Sequence, residues 1–302
     1  MTPMHTTEIG TGMKHSNVTF IGLGQMGAAL VPPFISAGVK ATVWNRSPAK
    51  AEPLVAQGAV AATSFVEAIK ASDLIIVCLA DYDTSNALFQ QDEITLLLKG
   101  KTVVQFTTGD ARQAQASAQW AAEIGVQYLD GAIMDYPTQV GLPECMLLLS
   151  GPEAVWNSCS EEMKLLGGRM TYVGAKAGSA NVLDGCLLTM YYGNTFALMQ
   201  AAAMLQAEKL DIKDLGTALG AFKPVIDSTC ARTISAIDRN DFSGNEASIQ
   251  VHKLGVQSLL GRAKGAGVES RLLQLFTDFV EKTAANGREA DELTSVYTLF
   301  KP

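Results

Sequence analysis

Apolar positions in this chain fall into short blocks separated by longer amphipathic stretches. The run VTFIG (Val18–Gly22) is β-branched and aromatic and reads as a buried strand. Five further runs read the same way: ATVW (Ala41–Trp44), DLIIVCL (Asp73–Leu79), TVVQF (Thr102–Phe106), VQYLDG (Val126–Gly131) and MLLLSG (Met146–Gly151). Helical patterns lie between them, at Met26–Ala37 closed by Gly38, from Ser47-Pro48 onward, and at Val66–Ala71, Ala111–Ile124 and Glu153–Leu166. Strands alternating with helices predict a doubly wound, mostly parallel α/β sheet.

After Tyr172-Val173-Gly174 the pattern changes. Ser179–Glu208 is apolar, lacks proline and carries only Gly185 and Gly193 inside it. It predicts one helix of roughly 30 residues, about 45 Å long. A helix this long and apolar needs cover from its own chain or from a second one. No convincing strand follows up to Phe300, so the second half reads as all-α. The expected division is a loose tail at 1–16, a sheet domain at 17–177, the long interdomain helix at 178–208 and a helical domain at 209–302. The tail is polar and has no apolar segment of the secretory kind.

Composition narrows the class. A length of 302 residues suits two domains, and 48% hydrophobic with 18% charged residues suits a globular protein with a large core. No apolar run reads as a spanning helix of ~18 or more residues, which sets aside an integral membrane protein. The net charge of −7, without basic blocks, argues against nucleic acid as a partner. Five scattered cysteines with no CxxC argue against a disulfide framework or zinc site and favour a reducing, cytoplasmic setting. His5 and His15 precede the first strand, leaving only His252 in the folded body. A single histidine there argues against a Ser-His-Asp hydrolase or a His-rich metal site.

The strongest motif is Gly22-Leu23-Gly24-Gln25-Met26-Gly27, a GxGxxG between strand and helix. Gly22 permits the tight turn, Gly24 lets backbone approach a pyrophosphate, and Gly27 lets helix pack on strand. Its position after the first strand and at the first helix selects dinucleotide binding over a plain glycine turn. At the end of the second strand, where an NAD site carries an acid, the chain has Asn45-Arg46-Ser47, with Lys50 one turn on. Neutral Asn45 removes repulsion, Arg46 and Lys50 add cations, and Ser47 adds a hydroxyl, so the cofactor expected is NADPH. Leu79, Ala80 and Thr107, at the ends of the third and fourth strands, are expected to complete the cofactor site.

Asp184 is a carboxylate in an otherwise apolar stretch, NVLDGCLLTMYY, and Tyr192 lies two turns on, roughly on the same side. One reading makes both functional. The other leaves Asp184 as a favourable charge near a helix N-terminus and Tyr192 as core. Met134, Asp135 and Tyr136 read either as cleft lining or as a structural loop. His252 reads more simply as a core or interface histidine, though it remains a candidate lining residue. Asp81 and Asp83 read as turn caps.

Taken in order, GLGQMG, VWNRSPAKAEPLVAQGA, IIVCLADYD, TTGDARQA, YLDGAIMDYP, GLPE and the Asp184 helix resemble the imine reductases and reductive aminases. These belong to the wider β-hydroxyacid dehydrogenase superfamily. The resemblance implies an N-terminal Rossmann domain, a long interdomain helix and an all-α C-terminal domain. It also implies an intertwined homodimer whose active site lies between one chain's Rossmann domain and the partner's helices. The implied reaction is NADPH-dependent reduction of an imine, or of a ketone plus an amine. Asp184 falls on the family's proton-donor or amine-anchoring position, and Tyr192 on a substrate-contacting one. Thr108 matches a polar site where some reductive aminases carry Asn. Hydroxyacid dehydrogenases of the superfamily instead place Lys on the interdomain helix with Asn four residues later; here those positions are Asp184 and Leu188. A small-acid dehydrogenase, or an NADPH-binding protein without turnover, are the alternatives.

Overall fold

In the computed structural model, which describes residues 12–244 and 246–301, the sheet strands carry alternating residues into two separate cores. Strand β1 (Asn17–Ile21) leads to helices α1 (Gln25–Ala29) and α2 (Val31–Ser36), then β2 (Lys40–Trp44). A 3₁₀ turn at Pro48–Ala51 and α3 (Glu52–Val55) precede β3 (Val60–Ala61), α4 (Phe65–Ala71) and β4 (Leu74–Val77). Next come α5 (Tyr82–Phe89), α6 (Asp92–Leu98), β5 (Thr102–Gln105), α7 (Ala111–Glu123) and β6 (Gln127–Ile133). Strand β7 (Met146–Ser150), α8 (Glu153–Met163) and β8 (Arg169–Gly174) close the sheet.

Leu74 and Ile76 enter one core with Phe34 of α2 and Met163 of α8. Ile75 and Val77 enter the other with Ile69 of α4, Leu98 of α6 and Ala121 of α7. Period-two alternation thus places one apolar layer on each face, as the expected doubly wound sheet requires. The strand order is β3-β2-β1-β4-β5-β6-β7-β8. All pairs are parallel except β6 with β7. The 134–145 link between those two carries only a 3₁₀ turn at Pro137–Gln139 and no crossover helix, so the chain returns antiparallel.

The chain divides into two compact units, one ending at Leu188 and one beginning at Thr189. The long helix α9 (Ser179–Ala207) runs through the division, and α10 (Ile212–Arg239), α11 (Ile249–Gly265) and α12 (Arg271–Ala285) follow. Among the described residues the second unit is helical, apart from one bridge between Ser248 and Glu292. Within α9 only Ala180 and Asn181 are buried. Several of its apolar side chains remain open, with Met190, Tyr192, Phe196 and Met199 each 53–62% exposed.

Four expectations change. The helix expected over Met26–Ala37 is broken at Leu30, because Pro32 and Pro33 cannot donate to the preceding turn. Helices α5 and α6 were not expected. Asp81, read as a turn cap, is the N-cap of α5, its carboxylate accepting from the Thr84 N–H at 2.7 Å. Edge strands β3 and β8 were also missed, being short or only partly buried. Finally, the loose tail does not hold for 12–16; residues 1–11 lie outside the described residues. Met13 packs on the first core. The N–H groups of Lys14 and His15 each donate to Glu162 Oε1 at 2.8 Å, and His15 Nδ1 lies 2.9 Å from the same oxygen.

Glu162 is 1% exposed. Burial pushes its carboxyl up, but the hydrogen bonds from the His15 main chain and ring and from Lys14 outweigh it and hold it below the ordinary 4.5. A depressed folded value contributes stability above the unfolded value, and that contribution disappears as pH falls through the folded one. Thermal unfolding followed between about pH 7 and pH 3 should therefore show an acid-dependent loss that is reduced in Glu162→Gln. At neutral pH the substitution should cost about 1–3 kcal/mol. Superimposable profiles for the two proteins would contradict this anchoring.

Candidate functional site

Strand order reverses direction between β1 and β4, and in open α/β sheets ligands bind beyond the carboxyl ends of the strands at such a point. A crevice of about 600 Å³ opens there. Its wall includes Gly22, Gly24, Gln25, Met26 and Gly27 of the glycine-rich turn, Asn45, Arg46, Ser47 and Lys50 after β2, and Leu79 and Ala80 after β4. Eleven of the thirteen residues expected to form a cofactor site are therefore gathered in one place. Trp44, Cys78 and, from α5, Thr84, Ala87 and Leu88 also line it. The α5 residues escaped the sequence because the helix itself did.

Local geometry explains the motif. Gly22 has φ +92°, and a Cβ there would meet the Cys78 carbonyl oxygen. A Cβ on Gly27 would strike the Gly22 carbonyl. Gly24, the N-cap of α1, has open space where its Cβ would stand. Backbone N–H groups at a helix start with room in front of them suit a pyrophosphate. The remaining two expected residues act from behind. Leu23 is buried in the core, and its N–H donates to Asn45 Oδ1 at 3.0 Å. Asn45 Nδ2 in turn donates to the Ser47 carbonyl at 3.1 Å, so Asn45 braces the two loops. Thr107 is also fully buried rather than lining. Its hydroxyl accepts from the Leu79 N–H at 3.0 Å and donates to Gln105 Oε1 at 2.7 Å, while Gln105 Nε2 donates to Ser85 Oγ at 2.7 Å. Arg46 and Lys50 are exposed, and neither pairs with a carboxylate among the described residues. Two uncompensated cations at one rim suit a phosphate outside the helix start.

A second constellation surrounds the first turn of α9. Asp130, in the middle of β6, is wholly buried. Tyr82 O–H donates to its Oδ1 at 2.7 Å. Its Oδ2 accepts from the Gly178 N–H at 3.2 Å and Ser150 Oγ at 3.4 Å. Asn181 Nδ2 lies 3.4 Å from Oδ1, and the Ala180 N–H donates to Ser150 Oγ at 3.1 Å. Burial pushes the Asp130 carboxyl up to about 6, with the donors opposing it. The signal in the sequence was a lone acid inside an apolar strand, since a buried charge requires donors.

Asp184 follows one turn after Asn181. It is half-buried, and burial holds its carboxyl above the ordinary 3.8. It forms no hydrogen bond or ion pair among the described residues. It is not part of the crevice wall. On α9 it is flanked by Leu183 and Leu187, which pack with Met134 against Ala132, Leu148 and Ala180. Met134 packs on this cluster while staying partly exposed, and the neighbouring Asp135 accepts the Met146 N–H at 2.8 Å. Thr108 is exposed beside buried Thr107. Tyr192 and His252 belong to the second unit, where His252 lines a cavity of about 560 Å³ with Thr229, Arg232 and Glu246.

Comparison with known proteins follows this division. Residues 17–174 match the model described as the NAD binding domain of 6-phosphogluconate dehydrogenase. Residues 176–302 match that of the NADPH-dependent reductive aminase-like C-terminal domain. The NADPH-dependent reductive aminase of Aspergillus oryzae is 30% identical over 95% of this chain and 97% of its own length. Among solved structures, the imine reductase of Myxococcus stipitatus in complex with NADP+ is 34% identical, with a TM-score of 0.88 over 94% of this chain and 100% of that one. The reductive aminase of Aspergillus terreus in complex with NADPH4, cyclohexanone and allyl amine is 28% identical, with a TM-score of 0.86 over 94% of this chain and 99% of that one. Matched along both units, this chain belongs to the family of imine reductases and NADPH-dependent reductive aminases.

Proposed function

We propose that this protein reduces imines and iminium ions to amines with NADPH, and that the same site joins a ketone or aldehyde to an amine. The observation that carries the reading is Asp184: a half-buried carboxylate without a structural partner, on the central helix of a chain from this family. The glycine-rich turn would hold the pyrophosphate, and Arg46, Ser47 and Lys50 the 2′-phosphate. Bound nicotinamide supplies hydride. The protein's own residues supply position and field.

Reducing a carbonyl builds negative charge on oxygen, which an anion opposes. Reduction of an iminium starts from a cation, which an anion favours. At about 4 Å and an effective dielectric of 20 the attraction is up to about 4 kcal/mol, or roughly 3 pKa units for the imine. As the carboxylate, Asp184 thereby enlarges the iminium fraction and, after hydride transfer, holds the amine, which takes its ammonium proton from solvent, with Tyr192, Thr108, Met134 and His252 as candidate substrate contacts. A hydroxyacid dehydrogenase would need a cationic anchor instead, and α9 contains no Lys or Arg from Ser179 to Ala207.

Two coarser points carry finer readings. Among the described residues no helix is long and apolar enough to cross a membrane, and all five cysteines are free thiols. These features support a reducing cytoplasm. The exposed apolar length of α9 and a groove of about 810 Å³ lined by Phe196, Met199, Leu272 and Leu275 support cover by a second copy. Sedimentation should accordingly give a homodimer of the 32.0 kDa chain. A monomer at micromolar concentration would remove that reading.

The direct assay follows NADPH loss with a cyclic imine, with a ketone plus a primary amine, and with carbonyl precursors of 3-hydroxy acids. Turnover is expected in the first two; turnover with the last alone would favour the dehydrogenase. Asp184→Leu should lower kcat by about 10²–10⁴-fold. Because the raised Asp184 value keeps the neutral acid present to higher pH, wild-type kcat/KM should fall as pH drops through it, and this limb should vanish in Asp184→Leu. An unchanged rate removes Asp184 from the mechanism. Arg46→Ala should weaken NADPH by about 10-fold or more while leaving NADH nearly untouched. Equal losses for both cofactors would contradict the 2′-phosphate assignment.

A further inference from the structure

Asp184 has no hydrogen bond to fix it, so its place depends on where the backbone of α9 stands. Two devices set that backbone. One is apolar: Leu183 and Leu187 pack against Ala132 and Leu148 of β6 and β7. The other is polar: Asp130 receives the Gly178 N–H, sits 3.4 Å from Asn181 Nδ2, and shares Ser150 with the Ala180 N–H. We propose that Asp130 is a positioning residue for Asp184, locking the rotation of the first turn of α9 through Gly178, Ser150 and Asn181. This rests on the role assigned to Asp184 above.

The geometry is specific for that task. Leading N–H groups of a helix have no partner within it. An anion in front of them is favoured by the helix dipole as well as by hydrogen bonding. Here the anion comes from the sheet, so the helix is fixed to the strand that carries it. Gly178 makes the approach possible: it has φ +85°, and a Cβ there would meet the Ala111 backbone. Tyr82 provides the shortest bond to Asp130, at 2.7 Å. It also links the lock to the crevice, because α5 carries both Tyr82 and Ser85 inward and presents Thr84, Ala87 and Leu88 to the crevice.

Small rotations matter. Side chains reach about 5–6 Å from a helix axis, so turning α9 by about 10° moves the Asp184 carboxylate by about 1 Å. A misplacement of that size can cost on the order of 10²-fold in rate. Asp130→Asn preserves volume but removes the charge and turns one acceptor oxygen into a donor. Either the Gly178 side or the Tyr82 side then faces an NH₂ group.

The test compares wild type, Asp130→Asn, Asp184→Leu and the double variant. It uses single-turnover NADPH oxidation with a cyclic imine and a separate NADPH titration. Asp130→Asn is expected to lower the rate by about 10- to 10²-fold with NADPH affinity within about twofold, and to have no further effect once Asp184 is leucine. A merely structural role would lower the rate by the same factor in both backgrounds. That result, or an unchanged rate in Asp130→Asn, overturns the assignment. If Asp130→Asn does not fold, Tyr82→Phe is measured in the same two backgrounds, with the same pattern expected at about 3- to 10-fold. A wild-type protein inert toward every imine, or Asp184→Leu at full rate, overturns the underlying reading and the positioning role with it.

Discussion

A carboxylate cut off from water has to find donors within the fold, and the donors of Asp130 come from three different elements. Tyr82 arrives from α5, Ser150 from β7 and Gly178 from the entry to α9. None of these neighbours is a cation, so the charge is offset by hydrogen bonds and by the start of a helix rather than by an ion pair. Burial still dominates and pushes the carboxyl up to about 6. The consequence for the architecture is direct. The longest helix in the chain begins where that acid holds it, and Asp184 lies one turn further along.

The crevice depends on a comparable piece of hidden bracing. Glycines provide the clearance at its floor, but Asn45 and Thr107 hold its loops together from behind. A neutral Asn at the end of β2 therefore has two consequences. It withholds the negative charge that an NAD-type acid would supply, and its amide ties the β2 loop to the glycine-rich turn. Helix α5 joins the two regions, since one face of a two-turn segment serves the crevice and another serves the buried polar web.

The charge pattern along α9 connects this frame to chemistry. The helix contains one acid and no base. Carbonyl reduction favours the reverse, because its transition state gains negative charge on oxygen. An anion on the same rod suits a substrate that enters as a cation. Family membership and charge sign point the same way, and they rest on separate observations.

Much of the first unit was legible in the residues. Short apolar, β-branched runs marked the six interior strands, and the GxGxxG after Ile21 and the Asn45–Lys50 segment were locally sufficient, because a helix start and a strand end create their sites from neighbours in sequence. What stayed hidden depended on partners far along the chain. Helix α5 has no long periodic run, the edge strands bury too little to show a pattern, and Pro32-Pro33 broke a helix that hydrophobic spacing alone would continue. Glu162 turned the segment before β1 into an anchored one through bonds spanning 147 and 148 residues. Thr107 and Leu23 moved from lining to support because only packing decides which side of a loop faces the cavity. Asp130 is the clearest case: the sequence supplied an acid in an apolar strand, and only the assembled sheet, with α9 ending its approach against it, determined what that acid holds.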